Sequence, residues 1–151
     1  MRRIVTFASI GTVLTLAALF ALLRSIPAAS AQADSASNAD QIRRGEYLTH
    51  SVAMCVVCHS PKDEHGQPIL SQQFEGGVIP AKATYPKMAT WASHAPALGP
   101  LAGGTGDDVI TLLKTGIVPR TGKPPRGPMP PFRLSDEDAR AVVACLQSLG
   151  N

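Results

Sequence analysis

Cys55-Val56-Val57-Cys58-His59 constrains this 151-residue chain more than any other segment. Two thiols three positions apart on one tight turn can each add to a vinyl group of the same porphyrin. The next residue then sets an imidazole under the iron. The C-x-x-C-H spacing therefore predicts covalent attachment of haem c, with Cys55 and Cys58 as thioether anchors and His59 as the proximal iron ligand. Two other uses of paired cysteines fit less well. A thioredoxin-like redox pair wants a strand–helix context, and no strand-like alternation precedes Cys55. A zinc site needs four ligands, and the remaining cysteine, Cys145, stands alone in an apolar segment.

The N-terminus agrees with this reading. Arg2 and Arg3 form a short positive region, and Ile4 to Leu23 runs without a charge. Ala29-Ser30-Ala31 and Ala31-Gln32-Ala33 both fit an A-x-A cleavage site, so residues 1–33 are expected to be a secretory signal peptide. An uncleaved anchor is the competing reading, because about eighteen apolar residues can span a bilayer. Pro27 and the small residues after Arg24 favour cleavage. In either case the positive end stays inside and the rest faces out. The expected location is the periplasm, or the outer face of the bacterial inner membrane if the leader is retained. Haem c is attached on that side.

The leader also distorts the charge. The whole chain is formally +3, yet from Asp34 onward eleven Lys/Arg balance eleven Asp/Glu. A basic isoelectric point is therefore no sign of nucleic-acid binding. Residues 34–151 make one small domain, and Pro and Gly are dense over 60–106 and 116–131. Such a chain buries little apolar surface by itself, and a haem would supply the missing core.

Three helices are expected. The first starts near Asn38, where Asn38 and Gln41 resemble a capping box. Ile42, Gly45, Leu48 and Val52 form its face. Gly45 in mid-helix costs up to about 1 kcal/mol against Ala, so either a crossing helix requires it or it is merely tolerated. The second runs from Asp107 to Thr115, capped by Thr105 and stopped by Gly116. The third runs from Asp136 to Leu149 behind Ser135, with Ala139, Val142, Val143, Leu146 and Leu149 as its apolar face. No strand-like stretch of useful length is visible. The class is all-α with long Pro/Gly-rich loops.

The sixth iron ligand is a second question. Met54, His50 and His65 lie too near the motif to reach the far face easily. Met88 and His94, in the middle loops, remain open. Met129 is favoured: it stands in Gly127-Pro128-Met129-Pro130-Pro131-Phe132, where prolines stiffen the loop that would carry it. A surface loop with an incidental Met is the bland alternative.

These residues together resemble the class I cytochromes c. The resemblance is carried by Arg44-Gly45-Glu46-Tyr47-Leu48, Cys58-His59-Ser60-Pro61, Phe74-Glu75-Gly76-Gly77, Lys114-Thr115-Gly116, Met129-Pro130-Pro131-Phe132 and Leu134-Ser135-Asp136-Glu137-Asp138-Ala139. It covers about Gln41 to Leu149 and is thin over 78–106. It implies a small class I cytochrome c fold, with three main helices around one haem, in a domain of residues 34–151. It implies His59 and Met129 as the axial pair, and Gly45 and Tyr47 against the C-terminal helix. Similar domains serve as cytochrome subunits of periplasmic dehydrogenases. The Asn-x-Thr-Pro segment common in such domains is replaced by Trp91-Ala92-Ser93-His94-Ala95-Pro96, where Trp91 is a candidate N–H donor to a haem propionate. Cys145 replaces an aromatic of the last helix, and is read as a small buried hydrophobe, or else as a reactive or partner-linking thiol.

Between Val109 and Ser135 the chain carries Lys114, Arg120, Lys123, Arg126 and Arg133 and no acid. Such a rim would steer an acidic redox partner, or would simply balance the propionates. Two functions stay open: a non-enzymatic electron carrier of the respiratory chain, soluble or as a dehydrogenase subunit, and a haem enzyme or ligand-binding cytochrome with an open or labile distal site. No nucleophile or acid–base pair is visible, which fits the carrier.

Overall fold

The computed structural model describes residues 27–84 and 91–150. Contacts divide the chain into a unit ending at Ser37 and a unit from Asn38 to Asn151. Among the described residues there are four α-helices and one two-stranded sheet.

Helix α1 spans Pro27–Tyr47. It does not begin at Asn38, as the sequence led us to expect. Pro27 suits the first helical position, and the alanines that follow have the highest helix propensity. Nothing therefore breaks the helix before Asn38, which lies in its interior rather than at a cap. The helix widens into a π-turn over Leu48–Val52, closed by Ala53 N–H donating to Leu48 O at 2.8 Å. The turn buries Leu48 and Thr49 together. Met54 then adopts φ 52°, a left-handed conformation costly for a non-glycine residue, and the chain swings into the short helix α2, Cys55–His59. One turn of helix has little stability of its own. Packing holds it: Val56 and His59 are buried.

The segment after α2 is tied back onto it. Ser60 is fully buried, and its Oγ accepts from Phe74 N–H at 3.1 Å. Gly76 N–H donates to His59 O at 2.8 Å. Strand β1, Gly77–Val78, pairs antiparallel with β2, His94–Ala95. A Cβ on Gly77 would collide with the Ser60 carbonyl, so only glycine lets β1 lie this close to the motif.

Helix α3 spans Gly106–Thr115. Thr105 and Asp108 form a reciprocal capping box, and Gly116 ends the helix at φ 64°. Helix α4 spans Asp136–Ser148, with Ser135 Oγ accepting from Asp138 N–H. Both starts agree with the sequence to within one residue. The core is Leu48, Val56, Phe74, Leu113, Ala139, Ala141, Val142 and Leu146, drawn from the π-turn, α2, the loop before β1, α3 and α4. A Cβ on Gly45 would strike the Ala141 carbonyl and stand 2.7 Å from Cys145 Cβ, so α1 and α4 cross backbone to backbone there. Arg44 and Asp138 pair across the same crossing at 2.9 Å. The Tyr47 ring is half-exposed, with the Arg44 guanidinium 5.7 Å from its centre. Leu48 and Thr49 point inward instead.

Candidate haem site

Cys55, Cys58 and His59 open onto one cavity of about 570 Å³. Helices α3 and α4 contribute Val109, Leu112, Leu113, Val142 and Leu146 to its wall. The loop from Pro124 to Phe132 contributes Met129. The lining is chiefly aliphatic, and the size falls in the range of cofactor clefts, about 300–1,000 Å³.

His59 is held in one orientation. Its Nδ1–H donates to Pro96 O at 2.8 Å. A carbonyl can only accept, so the proton sits on Nδ1 and the Nε2 lone pair is left for a metal. Burial holds the imidazole below its ordinary pKa, and the charge of Lys62 adds to this against the opposing pull of Pro96 O. The ring is thus neutral, the form in which it ligates. Cys55 and Cys58 are unpaired thiols among the described residues. Burial pushes the Cys55 thiol up to about 11, with the nearby Cys58 adding to it. The donor set is therefore two adjacent sulfurs, an oriented neutral imidazole and a thioether around one apolar space. These residues fit a covalent haem: Cys55 and Cys58 would anchor it, His59 and Met129 would ligate the iron, and the aliphatic wall would exclude water.

Met54 and His94 border the same cavity. Met54 is half-exposed at the start of α2. His94 sits in β2, two residues before the Pro96 that holds His59, and its Nδ1 is 3.1 Å from Ser93 Oγ. Met88 lies outside the described residues. His50 is turned elsewhere, with Nε2 2.7 Å from Gln73 Oε1 and the ring edge-on to Phe74.

Trp91 is not among the residues lining the cavity. Its indole N–H donates to Ala81 O at 2.9 Å, so it would have to leave that carbonyl to serve a propionate. Arg126 does line the cavity. Sequence reasoning missed Pro96 altogether, because every residue carries a carbonyl and an acceptor of this kind has no side-chain signature. Cys145 is 4% exposed, and its sulfur lies 3.9 Å from Thr49 Oγ1. Burial raises its pKa. It packs as a small apolar residue. One charge of the basic stretch is offset: Lys114 pairs with Asp136 at 2.7 Å. Arg133 keeps its charge while donating to the carbonyls of Pro131 and Phe132. Arg120 and Lys123 are exposed.

A family model for Cytochrome c matches residues 42–150. No match was found among curated proteins.

Proposed function

The chain belongs to the cytochrome c family, whose members carry covalently bound haem c and transfer electrons, and from this premise we propose that it is a periplasmic monohaem carrier with His/Met ligation. One observation carries the reading: Met129 and the Cys55–His59 turn border the same apolar cavity, with His59 already oriented by Pro96. When bound, the haem supplies a one-electron Fe(III)/Fe(II) couple. The protein's part is to set that couple. Cys55 and Cys58 fix the ring covalently, His59 offers Nε2, and the Met129 thioether and the dry wall favour the ferrous state. A role as acceptor or subunit of a periplasmic dehydrogenase follows from the resemblance of the Arg44–Leu48 and Met129–Ala139 segments to such subunits. Arg120 and Lys123, with Arg126 at the cavity rim, would favour an acidic partner surface.

Export is proposed from Arg2, Arg3 and the apolar run 4–23. Residues 1–26 lie outside the described structure, and Pro27 to Ala33 belong to α1. Among the described residues no helix is long and apolar enough to cross a membrane. Intact mass of protein from its native host checks this. A product beginning near Gln32 or Asp34 supports cleavage, and one that keeps residues 4–23 supports an anchor.

The deciding experiment is optical. Native protein should keep its haem through acid–acetone extraction, and the ferric form should show the weak far-red sulfur-to-iron band. Met129→Ala should abolish that band, lower the potential and admit carbon monoxide to ferrous iron. His94→Ala and Met88→Ala should leave the band in place. A wild type that binds carbon monoxide readily and shows no band would overturn the carrier in favour of an open-site haem protein.

A further inference from the structure

The segment carrying Met129 has little regular structure of its own. Among the described residues between α3 and α4 the only β-bridge is Val118 with Lys123, besides turn bonds and Leu134 N–H donating to Leu113 O. The turn that bears the methionine is held instead by residues 91 and 92. The Trp91 ring lies on Gly127, where a Cβ would meet its Cε3 at 3.0 Å and Cζ3 at 3.2 Å. Arg126 Nη2 donates to Trp91 O at 3.0 Å. Ala92 N–H donates to Gly127 O at 2.7 Å, and Met129 N–H donates to Arg126 O at 3.2 Å. The far edge of the indole is pinned by Nε1–H donating to Ala81 O. Glycine at 127 thus leaves room for the ring: a side chain there meets the Cε3–Cζ3 edge of the indole. These contacts join into one clamp, running from Ala81 through Trp91 to the Arg126–Met129 turn.

We propose that Trp91 is a positioning residue for the distal ligand: its ring, seated on Gly127, keeps the Arg126–Met129 turn against the cavity and so governs how easily another ligand displaces Met129 from iron. This rests on Met129 as the distal ligand. It also gives the indole a role that needs no propionate. The ring does the holding, and the N–H merely fixes its plane.

The test uses ferric holoprotein and imidazole as the competing ligand, followed by the far-red band and by stopped-flow absorbance. Truncating a packed ring releases the turn, so Trp91→Ala should weaken the band and speed imidazole binding about tenfold or more, the change expected when about 1.4 kcal/mol of restraint is lost. Trp91→Phe keeps a ring on Gly127 and should stay within about threefold of wild type. Gly127→Ala should move both readouts in the same direction by a smaller amount, because its methyl would lie 3.0 Å from Cε3 and push the ring back by a few tenths of an ångström. Added to Trp91→Ala it should do little more, since nothing remains to collide with. A wild-type band and imidazole rate in Trp91→Ala would overturn the proposal. So would a Trp91→Phe variant as fast as Trp91→Ala, since that would place the effect in the N–H. If Trp91→Ala yields no holoprotein, Gly127→Ala alone decides, and a wild-type rate there overturns it. Met129→Ala separates the two levels. If it keeps the band, the ligand assignment fails and this inference with it. If it loses the band while Trp91→Ala and Gly127→Ala behave as wild type, only the inference fails.

Discussion

At Gly45 two effects of opposite sign meet. Replacing an interior helical glycine with alanine ordinarily stabilises by up to about 1 kcal/mol. Here the new methyl would strike the Ala141 carbonyl and sit 2.7 Å from Cys145 Cβ. Overpacking of this kind costs about 1–3 kcal/mol, and the nearest obstacle is backbone, which cannot rotate away. Gly45→Ala should therefore destabilise, read as a lower denaturant midpoint of the holoprotein. A midpoint at or above wild type would show that α1 and α4 separate at no cost. The neighbouring Cys145 yields a second prediction. Its burial and raised pKa leave almost no reachable thiolate, so iodoacetamide should label it only after denaturation. Rapid labelling of the folded protein would restore the reactive-thiol reading. Residue-level chemistry was the most legible part of this chain. Cys55, Cys58, His59 and Met129 carry side chains whose spacing or flanking prolines announce a site. The Pro96 carbonyl and the Gly127–Trp91 contact were illegible, because they depend on backbone atoms and on contacts between remote loops.

Element ends were read well where a side chain makes the cap. Thr105 and Ser135 both accept the expected backbone N–H. The start of α1 was misread because Asn38 can cap a helix but does not have to, and an alanine-rich approach lets the helix run on. The π-turn was invisible because its cause is packing: Leu48 and Thr49 must both face inward. At this scale the caps and the clip between α3 and α4 are testable. Thr105→Ala should cost about 1 kcal/mol, with the loss concentrated in amide protection of α3. Asp136 bonds Lys114 of α3 at 2.7 Å and Arg140 of its own helix at 2.6 Å. Those two cations hold its carboxyl down to about 2, from an ordinary 3.8. A depressed carboxylate contributes stability that is present above its unfolded pKa and lost as pH falls through its folded one. The wild type should therefore outlast Asp136→Asn in denaturant near neutral pH, and the gap should close as pH drops from about 4 towards 2. The pair is exposed, so added salt should narrow the gap as well. A difference that does not change with pH would assign the effect to helix geometry rather than to charge.

The whole molecule is built around a space it cannot fill. Its core draws one residue each from the π-turn, α2, the 74–78 segment and α3 and four from α4, and these border a cavity of about 570 Å³. The cavity opens to solvent and its wall is chiefly aliphatic, so without haem that wall lies against water, at roughly 25 cal/mol for each Å² of apolar surface. A domain has only about 5–15 kcal/mol in total. The haem is therefore expected to supply a large share of the stability, and the five-residue helix α2, which carries its anchors, to depend on it beyond the packing of Val56 and His59. The prediction is that a Cys55→Ala/Cys58→Ala variant, freed of noncovalent haem, loses the fixed tertiary structure of the holoprotein. It should retain part of the helical signal in far-UV circular dichroism, lose near-UV signal around Trp91, and unfold without a sharp thermal transition. The capped helices α3 and α4 should be the last to lose amide protection, because their starts are secured by their own side chains and joined by Lys114 and Asp136. The α2 segment should be the first, because a single turn of helix has little stability of its own and loses its covalent tie to haem in this variant. A variant that melts cooperatively at the holoprotein's temperature would show that the chain closes its own core, and the cavity would then be a consequence of the fold rather than the reason the fold needs its cofactor.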